Sequence, residues 1–546
     1  MHMKPRFFLV TLFVLSSFIS FSQSGKAPVT ADKPKLVVGI VMDQMRWDFL
    51  YKYDKQYSTG GFKRLLNQGF TCENNFIPYM PTYTAPGHTC IYTGSVPAIH
   101  GIAGNNWYDK NLKREVYCTE DSTVNSVGGS EKAGKMSPKN MWTTTITDEL
   151  RLSNNFKSKV IGIALKDRGA ILPAGHSANA AYWYDAGKWI TSDFYMKDLP
   201  EWVKKVNAED RVSKLMSKDW NTLLPINQYT LSTSDDKVYE ENIKGLKSPT
   251  FPHALSTLTD TKYDAFRTTP FANTYTFDFA KDVIENENMG KNTVPDFLTI
   301  SISSTDYIGH SFGPNSIEMQ DTYIRLDREV ASFLQYLDTK IGKGNYTVFL
   351  TADHGVAHIP DFLKENNIPA GIFNDNDIQK SLNTALEKKF GVTKAVSKVI
   401  NYQVYLNDEI INDDSISRDK AIACIIHELK KLDYVVTAFE TEEITEATLP
   451  ETLKTMVVNG YNPKRSGDIQ FMVKPGYFDG RKKGTTHGLW NPYDSHIPFV
   501  LYGWGIKPGK TYRETYMTDI APTLAALLKI QMPNGTIGKV VYEAIK

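Results

Sequence analysis

The chain has 546 residues, 41% of them hydrophobic and 23% charged, which is ample for a sizeable buried core. Lys and Arg number 62 against 61 Asp and Glu, a net charge of +1. A near-neutral chain has no global attraction to nucleic acid or anionic membrane, so any anion specificity must come from local groups.

The opening stretch, "MHMKPRFFLVTLFVLSSFISFSQSGK", reads as a secretory leader over residues 1–22. Lys4 and Arg6 form its basic end, Phe7 to Ile19 its apolar run, and Ser20-Phe21-Ser22 its small-residue cleavage region. The run is too short for a comfortable membrane span. Cleavage after Ser22 leaves a net charge of −1. No later segment approaches eighteen uninterrupted apolar residues, so the mature protein is expected to be soluble, without stable membrane association.

Five short apolar runs follow, bounded by Gly, Pro, Asn or Asp: "KLVVGIVMD", "SKVIGIALKDR", "DFLTISISSTD", "NYTVFLTADHG" and "SHIPFVLYGWG". They read as fully buried strands. Between them lie amphipathic helical patterns. In "DTYIRLDREVASFLQYLDTKIG", Tyr323, Leu326, Val330, Phe333, Leu334 and Leu337 share one face. Alternating buried strands and helices predict an α/β fold with a mostly parallel central sheet flanked by helices. We expect one catalytic domain over residues 35–546, with two inserted cap regions at 177–295 and 365–480. Four widely spaced cysteines, Cys72, Cys90, Cys118 and Cys424, form no zinc-knuckle pattern. Buried structural thiols are the simpler reading, with one or two disulfides left open.

Parallel sheets gather function beyond the carboxyl ends of their strands. The ionisable residues fall there. Asp43 ends the first strand, Asp306 and His310 stand at i and i+4 in "STDYIGHSFG", Asp353 and His354 are adjacent in "TADHG", and His487 lies in "KKGTTHGLW". Each alone has a plain structural explanation as a cap, a turn or a surface pair. Three carboxylates and three imidazoles at strand ends together suit catalytic zinc. Two ions roughly 4 Å apart would suit in-line displacement at phosphorus. The other histidines considered, His88, His100, His176, His358 and His496, lack a carboxylate at ligand spacing and read as packing or supporting residues.

The stretch "PTYTAPGHTCIYTGSVPAIHGIAGNNWY" holds several threonines, and a threonine hydroxyl is inert at neutral pH without activation. In order, strand-Asp, T-x-P-x-H, D-x-x-x-H, A-D-H-G and a late G-T-x-H resemble the alkaline phosphatase superfamily, in its phosphodiesterase-like branch with a threonine nucleophile. Asn105 in "GIAGNNWY" and Lys166 and Arg168 in "ALKDRGA" are similar to the phosphate-insensitive periplasmic phosphomonoesterases of the PafA type. The resemblance runs from about Lys35 onward. It implies Thr84 as nucleophile, with Thr82 a nearby decoy. It implies two zinc ions: Asp43, Asp353 and His354 for the one that binds Thr84, and Asp306, His310 and His487 for the other. It implies Asn105, Lys166 and Arg168 as contacts to the phosphoryl oxygens, a phosphothreonine intermediate, phosphate monoesters as substrates, no nucleic-acid partner, a periplasmic location and a monomer. Two cations aimed at terminal oxygens favour a dianionic monoester over a diester.

The main rival is a nucleotide phosphodiesterase or pyrophosphatase on the same fold, a branch that generally lacks the Lys166 and Arg168 pair. A sulfatase would need Cys or Ser in C/S-x-P-x-R, where this chain reads Thr84-Ala85-Pro86-Gly87-His88. A non-catalytic zinc- or glycan-binding protein is the reading from a different class, and the full ligand set argues against it.

Overall fold

The structure, a computed structural model, describes residues 32–413 and 416–546, and the expected leader at 1–22 lies outside the described residues. Among the described residues ten strands make the central sheet: β1 (Leu36–Met42), β2 (Phe70–Phe76), β3 (Ser126–Val127), β4 (Val160–Ala164), β5 (Ala180–Asp185), β6 (Lys188–Ser192), β7 (Asp296–Ile302), β8 (Tyr346–Thr351), β9 (Phe499–Gly503) and β10 (Gly509–Tyr516). They run in the order β10-β2-β9-β8-β1-β7-β4-β5-β6-β3. All five apolar runs of the sequence lie in this sheet.

The middle is parallel: β1 pairs with β8 on one side and β7 on the other, β7 with β4, and β4 with β5. Every residue of β1, β4, β7 and β8 is buried, because helices cover both faces of a parallel sheet and leave no solvated side. Antiparallel pairs flank it, with β9 between β8 and β2, and β6 between β5 and β3, and the edge strand β10 returns to a parallel pairing with β2. The helices that concern the site are α1 (Thr84–Thr93), α2 (Asp167–Ala174), α3 (Ser304–Phe312) and α4 (Ile317–Leu337). On α4 the six apolar residues expected on one face are all buried, and the Ser316 hydroxyl caps the start by accepting from the Met319 amide at 3.1 Å.

The expected cap at 177–295 is narrower than the sequence suggested. Its first residues form β5 and β6, which extend the central sheet instead of covering it. Ala186 and Gly187, both at positive φ (45° and 92°), make the two-residue turn between them. The aromatic residues there belong to the core, since Trp183 and Trp189 are fully buried. The second insertion, 365–480, carries its own four-stranded sheet, in the order 396–400, 403–406, 469–473, 435–440, every pair antiparallel. It also has its own hydrophobic cluster, including Leu386, Val404, Ile425 and Phe471.

Candidate active site

Thr84 is the first residue of α1, after an extended Tyr83 (φ −113°, ψ 164°). That end of a helix presents unpaired N–H groups and a partial positive charge. Gly87 decides how closely α1 approaches the sheet. A Cβ there would lie 2.4 Å from the Asp353 carbonyl oxygen, so only glycine lets the helix rest on the "TADHG" turn. The result is that Thr84 Oγ1 sits 3.3 Å from His354 Nε2. Thr82, two residues earlier, donates its hydroxyl to the Leu489 carbonyl at 2.8 Å and is occupied there. The Asn105 side-chain oxygen accepts from the Ala85 amide at 2.9 Å, which places Asn105 beside the nucleophile candidate with its NH₂ group left to donate.

The six candidate ligands converge from the strand ends. Donor atoms of Asp306, His310 and His487 lie within 4.8 Å of one another, and so do those of Asp43, Asp306 and His354. Asp306 therefore belongs to both groups. Asp353 stands beside the second, its Oδ2 3.4 Å from His354 Nε2 and 3.2 Å from His88 Nδ1. Its Oδ1 accepts from the backbone amides of Gln44 and His354, at 3.1 and 3.0 Å.

Each imidazole is oriented through its other nitrogen. Nδ1 of His354, His310 and His487 lies 2.9, 2.8 and 2.8 Å from the carbonyl oxygens of Gly355, Thr485 and Thr82 respectively. With Nδ1–H donated to a carbonyl, Nε2 keeps its lone pair and faces the site, as metal-ligating histidines do. The carboxylate oxygens Asp43 Oδ1 and Asp353 Oδ2 are buried without any hydrogen bond. Of the three buried carboxylates, two meet one ammonium, that of Lys166, 2.7 Å from Asp43 Oδ2 and 2.5 Å from Asp306 Oδ2. Burying such an excess of negative charge is costly unless cations offset it. Orphaned oxygens, uncompensated charge and an oxygen-plus-imidazole donor set fit divalent metal ions.

Burial is the largest influence on all three carboxyls and disfavours their ionised form. For Asp43 it prevails, reinforced by the Asp353 charge, and holds the group well above the usual carboxylate range. For Asp306 the His310 and Lys166 charges outweigh burial, and for Asp353 His354 and His88 do, so both are held well below it. Burial keeps His354 and His487 below the usual imidazole value. His310 is raised, the Asp306 carboxylate overcoming burial.

Two of the expected phosphoryl contacts have protein partners here. Lys166, expected at the phosphoryl oxygens, lies between Asp43 and Asp306 with its side chain buried. Arg168, on α2, donates from Nη1 to the Tyr117 hydroxyl at 3.0 Å, and that hydroxyl donates to Asp167 Oδ1 at 2.8 Å. Sequence reasoning missed Tyr117 and Gln44. Gln44 has a left-handed backbone (φ 67°), and its side-chain NH₂ donates to Asp306 Oδ1 at 2.8 Å. Its only signal was adjacency to Asp43. His88, read as a packing or supporting residue, holds the α1 start in place, its Nδ1 2.9 Å from the Thr84 carbonyl and its Nε2 2.9 Å from Ser301 Oγ. All four cysteines are buried free thiols, with no disulfide among them.

Residues 37–496 match the family described as type I phosphodiesterase / nucleotide pyrophosphatase. A Myroides odoratus protein named calcium-transporting ATPase is 56% identical over 96% of this chain and 97% of its own. Alkaline phosphatase PafA of Elizabethkingia meningoseptica is 49% identical over the full length of both chains. A crystal structure of wild-type alkaline phosphatase PafA has a TM-score of 0.92 and 51% identity, covering 94% of this chain and 99% of that one. The chain belongs to the type I phosphodiesterase / nucleotide pyrophosphatase family of the alkaline phosphatase superfamily, on its PafA-type alkaline phosphatase branch.

Proposed function

We propose that this phosphomonoester hydrolase works by attack of Thr84 Oγ on phosphorus, with two zinc ions held by Asp43, Asp306, Asp353, His310, His354 and His487. The observation that carries this reading is the placement of the Thr84 hydroxyl, 3.3 Å from His354 Nε2 at a helix start, against two adjoining groups of ligand-type side chains. Zinc at such a site supplies Lewis-acid stabilisation of oxygens that carry or gain negative charge. The chain's own residues do the rest. The α1 N-terminus adds favourable potential for an anionic phosphoryl group. The Asn105 NH₂ and the Arg168 guanidinium donate to its non-bridging oxygens, and Lys166 adds a third positive or polar contact once its carboxylate partners are neutralised. A bond forms from Thr84 Oγ to phosphorus as the ester P–O bond breaks and the alcohol leaves. Water then cleaves the phosphothreonine, returning the Thr84 hydroxyl and releasing inorganic phosphate.

The leader at residues 1–22 supports export to the periplasm, and no helix of the described residues is long and apolar enough to cross a membrane. The family description also names phosphodiesterases, and for these Lys166 and Arg168 are the discriminator: their charges match a dianion with three terminal oxygens. The terminal phosphoryl group of ATP presents the same three oxygens, so ATP belongs in the substrate panel beside the ATPase-named relative. The deciding measurement is kcat/KM for an aryl monoester, its matching diester and ATP on the purified zinc-loaded protein. A diester preferred over the monoester would overturn the reading.

A further inference from the structure

A cavity of about 590 Å³ opens beside the site, with His310 and Tyr307 in its wall. Its volume lies in the range of small-molecule pockets. Both insertions contribute to it: Glu241 comes from the first, and Asn374 and Asp479 from the second. It abuts His310 of the Asp306-His310-His487 group, whereas the phosphoryl-contact candidate Asn105 stands beside Thr84. A substituent leaving phosphorus away from Thr84 would enter it.

The polar groups here are mixed in sign and partly committed. Arg481 lies 3.6 Å from Glu241, and Lys483 Nζ donates to the Glu240 carbonyl at 3.1 Å. With Glu241 and Asp479 opposite, these two cations leave no net positive field for a polyanionic leaving group. Asp479 uses Oδ1 to accept from the Asp375 amide at 3.2 Å, and its other oxygen remains as an acceptor. Asn374 uses its side-chain oxygen to cap the helix Asp375–Phe390 at the Asn376 amide, at 2.9 Å, and keeps its NH₂ as a donor. Tyr307 also lines the cavity, its ring engaged by Lys166 Nζ at 5.2 Å and the Arg267 guanidinium at 5.3 Å from its centroid. Carboxylate acceptors and an amide donor around a cavity of balanced charge match vicinal hydroxyls better than an apolar ring.

We infer that this cleft is a leaving-group subsite for hydroxyl-rich alcohols, such as the sugar part of a sugar phosphate, with Asp479 and Asn374 as specificity-determining residues. The inference rests on the phosphomonoesterase reading of the adjoining site. It is tested on the full metal-loaded enzyme with glucose 6-phosphate, ethyl phosphate and p-nitrophenyl phosphate. The first two share primary-alcohol chemistry and differ in their hydroxyls. The ratio of their kcat/KM values is taken within each preparation, so that metal loading cancels. Wild type should favour glucose 6-phosphate by about tenfold or more, the scale of one or two good hydrogen bonds. Asp479→Asn and Asn374→Ala should each shrink that ratio several-fold, with p-nitrophenyl phosphate turnover little changed. If Asn374→Ala unsettles its helix, Asp479→Asn still decides. A wild-type ratio near one, or a ratio unmoved in both variants, overturns the subsite alone. Absence of p-nitrophenyl phosphate turnover in wild type overturns the phosphatase reading beneath it.

Discussion

Thr84 Oγ1 and His354 Nε2 lie 3.3 Å apart although 270 positions separate them in the chain. Thr82 is also buried, yet its hydroxyl is bound to the Leu489 carbonyl. Thr84→Ala should therefore lose nearly all monoesterase activity while retaining its metal. Thr82→Ala should keep most activity. Steady-state turnover with elemental analysis of both variants checks this, and equal losses would contradict the assignment.

Asp306 belongs to both groups of candidate ligands, whereas Asp43 belongs to one. Asp306→Asn should lower bound zinc from two ions per chain toward none, and Asp43→Asn toward one. Chelation should abolish activity, and added zinc should restore it. Metal content by mass spectrometry is the readout. Equal loss in both variants would show that the two groups do not load independently.

Lys166 bridges Asp43 and Asp306, and Arg168 is held by Tyr117. Charge-assisted hydrogen bonds contribute about 1.5–3 kcal/mol each. Since about 1.4 kcal/mol is tenfold in rate, removing both residues should cost roughly two to four orders of magnitude on monoesters if the effects add. Diester hydrolysis should fall far less. The measurement is kcat/KM of the Lys166→Ala/Arg168→Ala variant on both substrates. An equal drop would mean that these residues serve the metals or the fold instead of substrate choice.

Away from the site, Asp148 Oδ2 lies 3.3 Å from His176 Nδ1 and also accepts from the Thr145 amide at 3.0 Å. Burial opposes its ionisation, but the His176 partner and the amide donors win, and the carboxyl is lowered from 3.8 to about 2. A lowered carboxyl stabilises the fold above its unfolded value, and that stability is lost as pH falls from about 4 toward 2. His176 is raised above 6.5, the Asp148 charge overcoming burial, so its share is present below 6.5 and disappears as pH rises past its folded value. Asp148→Asn should cost roughly 2 kcal/mol at pH 5.5. It should cost less above the folded value of His176, where the imidazole has lost its proton, and very little near pH 2. Melting temperatures of both proteins across this range test it. A deficit independent of pH would assign the loss to packing.

The local chemistry of this protein was legible in its sequence. Five apolar runs in β1, β4, β7, β8 and β9 announced buried strands, because a strand covered on both faces must be apolar throughout. The one-face pattern of α4 announced a core helix for the same reason. The ligand-type residues were visible because strand ends in an α/β sheet gather side chains from distant segments. Other features waited for the tertiary structure, since they depend on distances between segments that no local pattern encodes. The segment around Trp183 and Trp189 reads from sequence as part of a cap, and its hydrogen bonding to β4 and β3 makes it sheet. Gln44 supports Asp306 and Asp353 through one unusual backbone angle. Asp306 enters both ligand groups because α3 projects it between Asp43 and His310. Lys166 turns inward because two buried carboxylates attract an ammonium more strongly than solvent does. Sequence named the candidate groups, and folding decided which of them meet.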